Sequence, residues 1–333
     1  FVYSNKTCGC TKKYTFELAR GMKKYVNTKV IYYTELTSDI VKEFDVIILQ
    51  RLGTITIIDK DEVNNIIDII EKNKNIKKFI YIMDDLVLES QNGLPIKFIS
   101  HCTDVLCTSK TLAKYIRKYN DNVHVFHTFI DVESFDNIPE NKSEKFTLVW
   151  ASTGALGSNI IEGIVESKEA FKFDFDLIVI GGMYGQFRNE KWIKSYPILK
   201  EDEMIKLIKS ADILLNPLTL SEKNIEAIKY RCKEPLNDFL NSKSEVKYTI
   251  AGICKACILS KTESFYKVIK NGINGFLLDD KIDEWINCIQ YLYYHKDELY
   301  KITQNAYKEV KSEYSIDNGA RQVIDVINDI VNQ

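Results

Sequence analysis

Short runs rich in β-branched and aromatic residues alternate with amphipathic helical stretches along the whole 333-residue chain. That alternation confines it to parallel-sheet α/β architectures. In the first half, strands are expected over 29–33, 45–50, 78–83, 104–108 and 123–126. The stretch 59–72 opens with Asp59, Asp61 and Glu62 at its positive end and carries Val63, Ile66, Ile67 and Ile70 at helical spacing. Ser109 is a natural cap for a helix over 111–119, with Leu112, Tyr115 and Ile116 on one face. The polar, proline-containing segment 138–145 interrupts the pattern, and the interdomain linker is placed there. Beyond it, strands are expected over 146–151, 175–180, 212–215, 256–260 and 275–278, with helices over 160–170, 202–210, 244–251, 265–270 and 281–294. Two doubly wound α/β domains result, over 1–140 and 141–315. A last helix within 316–333 has Ile316, Ala320, Val323 and Ile327 at helical spacing and needs a surface to cover. Segment 218–242 fits neither period and reads as an insertion on the second domain's surface.

Length and composition exclude several classes. The chain exceeds what one hydrophobic core usually organises. It is 45% hydrophobic and 28% charged, so it can bury sizeable cores. Forty-five basic residues against 47 acidic ones give a formal charge of −2, which supplies no global attraction to nucleic acid. No apolar run approaches the ~20 residues of a membrane span, and the first residues lack a signal-peptide layout. A cytoplasmic protein with free thiols is expected from these features and from its eight scattered cysteines.

In doubly wound sheets ligands bind beyond the carboxyl ends of the strands. After 146–151 comes Ser152-Thr153-Gly154-Ala155-Leu156-Gly157-Ser158, small enough for backbone N–H groups to approach a phosphate at the following helix. The structural alternative is a plain tight turn. Lys243-Ser244-Glu245-Val246-Lys247-Tyr248 leads into another helix. There Ser244 could cap while Lys243 and Lys247 flank the exposed N–H groups, the parts that hold a diphosphate and offset its charge on leaving. A solvated charged turn would look the same. The strand over 78–83 runs directly into Asp84 and Asp85, two carboxylates placed to bind hydroxyls or act as a base, although acidic residues also open ordinary loops.

Other signals are discounted. Cys254-Lys255-Ala256-Cys257 lacks a second CxxC and reads as buried thiols; Cys8-Gly9-Cys10 has no convincing partner spacing either. Asp174-Phe175-Asp176 has DxD spacing but precedes its strand, at the wrong end of the sheet. The four histidines show no metal spacing, so no metal site is assigned.

The chain resembles the GT-B glycosyltransferases of the large bacterial group 1 (family 4) type over nearly its whole length. The resemblance rests on Phe44 to Arg51, Tyr81-Ile82-Met83-Asp84-Asp85, Asp104 to Ser109 and Asn122 to Asp131 in the first half. In the second it rests on Val149-Trp150-Ala151-Ser152, Ala211 to Leu218, Lys243 to Tyr248 and Asn271 to Leu277. It implies two Rossmann-like domains facing a central cleft, the donor held by the second, the acceptor by the first, and the last helix crossing back to the first domain. On that footing Lys243, Ser244 and Lys247 bind donor phosphates with Ser152 and Gly154 beside them. Gly181, Gly182, Pro197 and Ile198 lie near the nucleoside, and Asp84 or Asp85 faces the reacting sugar. Relatives place a ribose-binding Glu shortly after the Lys-Tyr pair. Here Thr249-Ile250-Ala251-Gly252 follows, leaving Glu245 or Glu263 as substitutes. The implied activity is metal-independent transfer from a nucleotide-sugar, a UDP-sugar by preference, to a glycan, lipid-linked or protein acceptor, with no cofactor. Peripheral membrane or partner-subunit association would be compatible with it. The alternatives are a catalytically silent binding subunit of a glycosyltransferase complex and a nucleotide-sugar epimerase.

Overall fold

The computed structural model describes residues 1–54, 56–154, 156–187, 190–220, 222–261, 265 and 267–332. The chain forms two compact units, one from Phe1–Phe129, Ala227–Ser244 and Ile316–Gln333, the other from Ile130–Glu226 and Glu245–Ser315. The first passage between them falls between residues 129 and 130, ahead of the linker expected at 138–145. Residues 132–136 already form a helix of the second unit, with Asp136 held by Tyr307 and Lys311.

In the first unit β1 (Val2–Tyr3), β2 (Ile31–Tyr32), β3 (Val46–Gln50), β4 (Lys78–Met83), β5 (Asp104–Cys107) and β6 (Val123–Val125) form one parallel sheet. Their order is β2-β1-β3-β4-β5-β6. Each residue of β4 from Phe79 to Met83 is fully buried, as expected for a central strand covered on both faces. Alternate residues Ile48, Ile80, Ile82 and Leu106 share one core with Tyr14, Leu18 and Met22. Those three lie on a continuous helical segment made of Gly9–Thr11, a π-helical stretch Lys12–Glu17, and Leu18–Met22. The last helix, Ile316–Val331, lays Ala320, Val323 and Ile330 on the same core. Gly21 and Gly319 permit this approach. A Cβ on Gly21 would lie 2.7 Å from Ile316, and one on Gly319 would lie 2.3 Å from the Phe129 ring.

Segment 218–242 is not an insertion on the second unit's surface. From residue 227 onward it folds with the first unit, where its charged residues find partners. Glu89 N–H donates to the Arg231 carbonyl, Lys233 pairs with Glu89, Lys118 with Glu234, and the Tyr115 hydroxyl donates to Asp238.

In the second unit β7 (Thr147–Ser152), β8 (Asp176–Gly181), β9 (Ile193–Tyr196), β10 (Ile213–Asn216), β11 (Cys257–Ser260) and β12 (Phe276–Leu277) form a second parallel sheet. Its order is β12-β11-β10-β7-β8-β9. The strands present alternate faces to two cores. Val149, Ala151, Ile178 and Ile180 pack against the helix Val246–Ile253, and Leu148, Trp150, Leu177 and Val179 against the helix Ile282–Tyr294. Asp174 and Asp176, the DxD spacing, are held by Lys145, with Lys168 and Lys194 as further partners. No described helix is long and apolar enough to cross a membrane.

Candidate functional site

Strand order fixes where a ligand can enter each sheet. In the second unit the connections run one way from β7 to β8 and the other way from β10 to β11, so a crevice opens beyond the carboxyl ends of β7 and β10. Ser152 ends β7, and its hydroxyl accepts from the Gly154 N–H at 3.3 Å. Gly154 is exposed, with no atom within 4 Å of where a Cβ would stand. Gly157 caps the helix Ser158–Glu166 at φ +85°; a Cβ there would lie 2.3 Å from Pro217, so only glycine fits. Its N–H donates to the Thr219 carbonyl at 3.0 Å, tying the loop after β7 to the one after β10. At the end of β10, Asn216 Nδ2 donates to Ser260 Oγ at the end of β11, at 2.9 Å inside the core.

Gly181, at φ +91°, has no room for a side chain either, because a Cβ would lie 2.1 Å from the Ser152 carbonyl. That carbonyl accepts the Gly182 N–H at 2.8 Å. Pro197 is exposed and so is Ile198, at 66%, 3.6 Å from the place of the missing Gly181 Cβ. The four residues Gly181, Gly182, Pro197 and Ile198 therefore form one open, partly apolar edge beside the 152–157 loop.

The helix after residue 243 begins at Val246, with Glu245 at the N-cap position and no side-chain cap bond. Ser244 does not cap it. The lysine pair expected at this helix start is also divided, because Lys243 and Ser244 fold with the first unit and Lys247 with the second. Lys247 Nζ donates to the Ala151 carbonyl at 2.6 Å, below the 152–157 loop. Burial lowers its pKa from 10.5 to about 8, so it is a cation near neutrality held where charge is costly. Tyr248 is buried and bonded to Asn274, while Thr249 turns its hydroxyl onto the Val246 carbonyl. Glu245 is buried at 6% exposure. Glu263 lies outside the described residues.

In the first unit the winding direction changes between β1 and β3. Gln50 and Arg51 end β3 there. Arg51 is buried at φ +46°, a costly conformation for a side chain of its size. Its Nη1 reaches Asp84 Oδ1 at 2.7 Å and Cys10 Sγ at 3.2 Å, and its Nε reaches Thr54 Oγ1 at 3.2 Å. Asp85 Oδ1 pairs with Lys243 Nζ at 2.7 Å. Burial alone would raise the Asp85 carboxyl, but Lys243 and then Arg51 override it and hold the group below the usual carboxylate range. Tyr14, raised well above 10 chiefly by burial, bonds to Thr128 beside these groups. The Gln50 side-chain oxygen accepts from Thr11, while Gln50 Nε2 and Thr108 Oγ1, both buried, have no hydrogen-bond partner among the described residues. Arg51 and Cys10 are absent from the sequence-derived site. Arg51 falls just beyond the strand expected at 45–50, and the CxC spacing gives no sign of the guanidinium it meets.

Two parallel six-stranded sheets with these strand orders define the GT-B fold, and the solved structures similar to this chain are GT-B glycosyltransferases. HepE of Anabaena in complex with UDP and glucose superposes with a TM-score of 0.67 at 12% identity, covering 98% of this chain and 99% of that one. An alpha-glucosyltransferase in complex with UDP and a 13-mer DNA containing a HMU base gives 0.71 at 10% identity, over 100% and 98%. A glycosyltransferase from Rickettsia africae gives 0.58 at 14% identity, over 99% and 84%. No protein-family model matches the chain, and no curated protein matches it in sequence.

Proposed function

We propose that this protein is a glycosyltransferase that moves a sugar from a UDP-sugar to an acceptor hydroxyl, the acceptor being a glycan, lipid-linked or protein substrate. The carrying observation is the carboxyl end of β7 and β10, where the exposed Gly154, a helix start and a half-buried lysine with no ion pair among the described residues converge. A diphosphate there meets the exposed Gly154 and the N-terminal end of the Ser158–Glu166 helix with its dipole. Lys247 offsets the charge that develops as UDP leaves, a role a metal ion fills in other transferases. Lys243 and Ser244 are further candidates for donor-phosphate contacts by the resemblance. Gly181, Gly182, Pro197 and Ile198 receive the nucleoside, and Glu245 or Glu263 the ribose. Asp84 and Asp85 orient sugar or acceptor hydroxyls. The low pKa direction of Asp85 suits it to accepting a hydrogen bond and makes it a weak base. No bound cofactor takes part.

Titration calorimetry with UDP and a panel of UDP- and GDP-sugars, followed by assays of UDP release in EDTA, tests the proposal. Micromolar UDP binding and EDTA-resistant release support it; no binding to any member overturns it. A second reading, a silent binding subunit, is favoured by the absence of a carboxylate after Tyr248 and predicts binding without turnover. An epimerase would convert the donor with no acceptor present.

A further inference from the structure

Strands β8 and β9 are neighbours in the second sheet, and the turns beyond their carboxyl ends expose two large apolar side chains. Tyr184, on the turn after β8, is 52% exposed, and Ile198, after β9, is 66% exposed. Both flank Gly181. The Tyr184 N–H donates to the Gly181 carbonyl at 2.8 Å, and Ile198 Cγ1 lies 3.6 Å from where a Gly181 Cβ would stand. The other exposed large apolar residues described in this unit lie elsewhere, Ile273 between β11 and β12, and Tyr291, Tyr294 and Tyr300 on the two helices within 282–313.

The turn that carries Tyr184 is held at four points. Gly182 N–H donates to the Ser152 carbonyl at 2.8 Å, and Met183 is buried in the core that contains Trp150 and Val179. Gly185 N–H donates to Ser195 Oγ at 3.0 Å, and Gln186 Nε2 donates to Glu162 Oε1, on the Ser158–Glu166 helix, at 2.8 Å. An aromatic side chain on a backbone fixed in this way offers contact area to a flat ligand at little further ordering cost.

From this placement we infer that Tyr184 is a nucleobase-binding residue, its ring stacking on the base of the donor nucleotide with Ile198 as a second apolar contact. The inference rests on the transferase reading, in which Gly181, Gly182, Pro197 and Ile198 receive the nucleoside. Two glycines, a proline and an isoleucine present no aromatic face, whereas a base gains most from stacking on one. Tyr184 supplies it at the same strand end. Ser152 links this turn to the loop proposed for the diphosphate, because its hydroxyl accepts the Gly154 N–H while its carbonyl accepts the Gly182 N–H. Base and diphosphate of one nucleotide thus fall on adjoining turns.

The test is titration calorimetry of the wild-type protein, Tyr184→Ala and Tyr184→Phe with UDP and with inorganic pyrophosphate. Tyr184→Ala should lose about fivefold or more in UDP affinity, and Tyr184→Phe, which keeps the ring, should stay within about twofold of wild type. Pyrophosphate, which has no base, should bind all three alike. With its side chain half in solvent, Tyr184→Ala should melt within about two degrees of wild type. Wild-type UDP affinity in Tyr184→Ala, a loss in Tyr184→Phe as large as in Tyr184→Ala, or an equal loss of UDP and pyrophosphate affinity overturns the inference and leaves the transferase reading standing. Absence of UDP binding to the wild-type protein overturns both.

Discussion

Lys247 sits where burial competes with the charge of the diphosphate proposed to bind there. Its pKa of about 8 lies below that of a free lysine, so between about pH 8 and 10 the unfolded chain binds the extra proton and stability rises with pH across that window. Diphosphate binding has the opposite sign, since only the protonated amine attracts it. UDP affinity should therefore fall as pH rises through about 8 in the wild-type protein and stay nearly flat in Lys247→Arg, measured by calorimetry across pH 7 to 9.5. Gly154 offers a complementary probe. Its Cβ position is open, so Gly154→Val should leave the melting temperature within a degree or two while lowering UDP affinity about tenfold or more through steric exclusion from the loop. Asp84 tests the other sheet. Asp84→Ala strands the Arg51 guanidinium in a site only 6% exposed and should cost about 3–5 kcal/mol by urea denaturation, with Arg51→Met/Asp84→Leu recovering much of it.

Elements with strong periodicity were legible from sequence. Every strand whose run contains three or more buried apolar residues was placed, as β4 and β7 illustrate, because a central parallel strand reads as a continuous apolar run. The misses have physical causes. Strand β1 is two residues long, and β9 reads Ile-Lys-Ser-Tyr with only Ile193 buried, as an edge strand allows. The 18-residue helix Lys296–Glu313 was missed because its Leu299, Ile302, Ala306 and Val310 are diluted by eight charged residues. Of the residues proposed for the site, the 152–157 loop and Lys247 are legible in the sequence because loop chemistry and charge are local. The Arg51–Asp84 and Lys243–Asp85 pairs were not, since their sequence separations of 33 and 158 leave no local trace. The 227–244 segment is the clearest instance, since the length and charge of 218–242 suggest an exposed insertion whereas the carboxylates and lysines beyond 227 are anchors. Asp85→Asn should weaken its attachment by about 1–2 kcal/mol, the pair being partly exposed, and speed hydrogen exchange in Leu236–Asn241. Because Asp85 titrates below the usual range, that attachment should persist as pH falls past 4 and be lost only below it.

At the scale of the molecule, each unit is assembled from segments distant in sequence: the chain leaves the first unit at 129, returns for 227–244, and returns again at 316. The first unit's core is therefore closed only when the last helix is in place. Ala320, Val323 and Ile330 complete the cluster that contains Tyr14, Leu18 and Phe129, and burial of each large aliphatic is worth about 1.5–3 kcal/mol. Gly319 is the contact that sets the spacing, its α-carbon lying against Phe129 with no room for a methyl group. Gly319→Ala should therefore cost about 1–3 kcal/mol through overpacking, and Gly319→Leu more, as the helix is forced off its bed. Hydrogen exchange should then accelerate together in Ile316–Val331 and in Leu18–Met22, the two helices in contact, while the amides of β7, β8 and β10 keep their protection. UDP binding should survive in large part, because Gly154 and Lys247, two of the residues proposed to hold the diphosphate, belong to the other unit, and only Lys243 and Ser244 lie in the affected one. Loss of protection spread equally over both sheets would mean that the chain unfolds as one cooperative body rather than as the two units its contacts define.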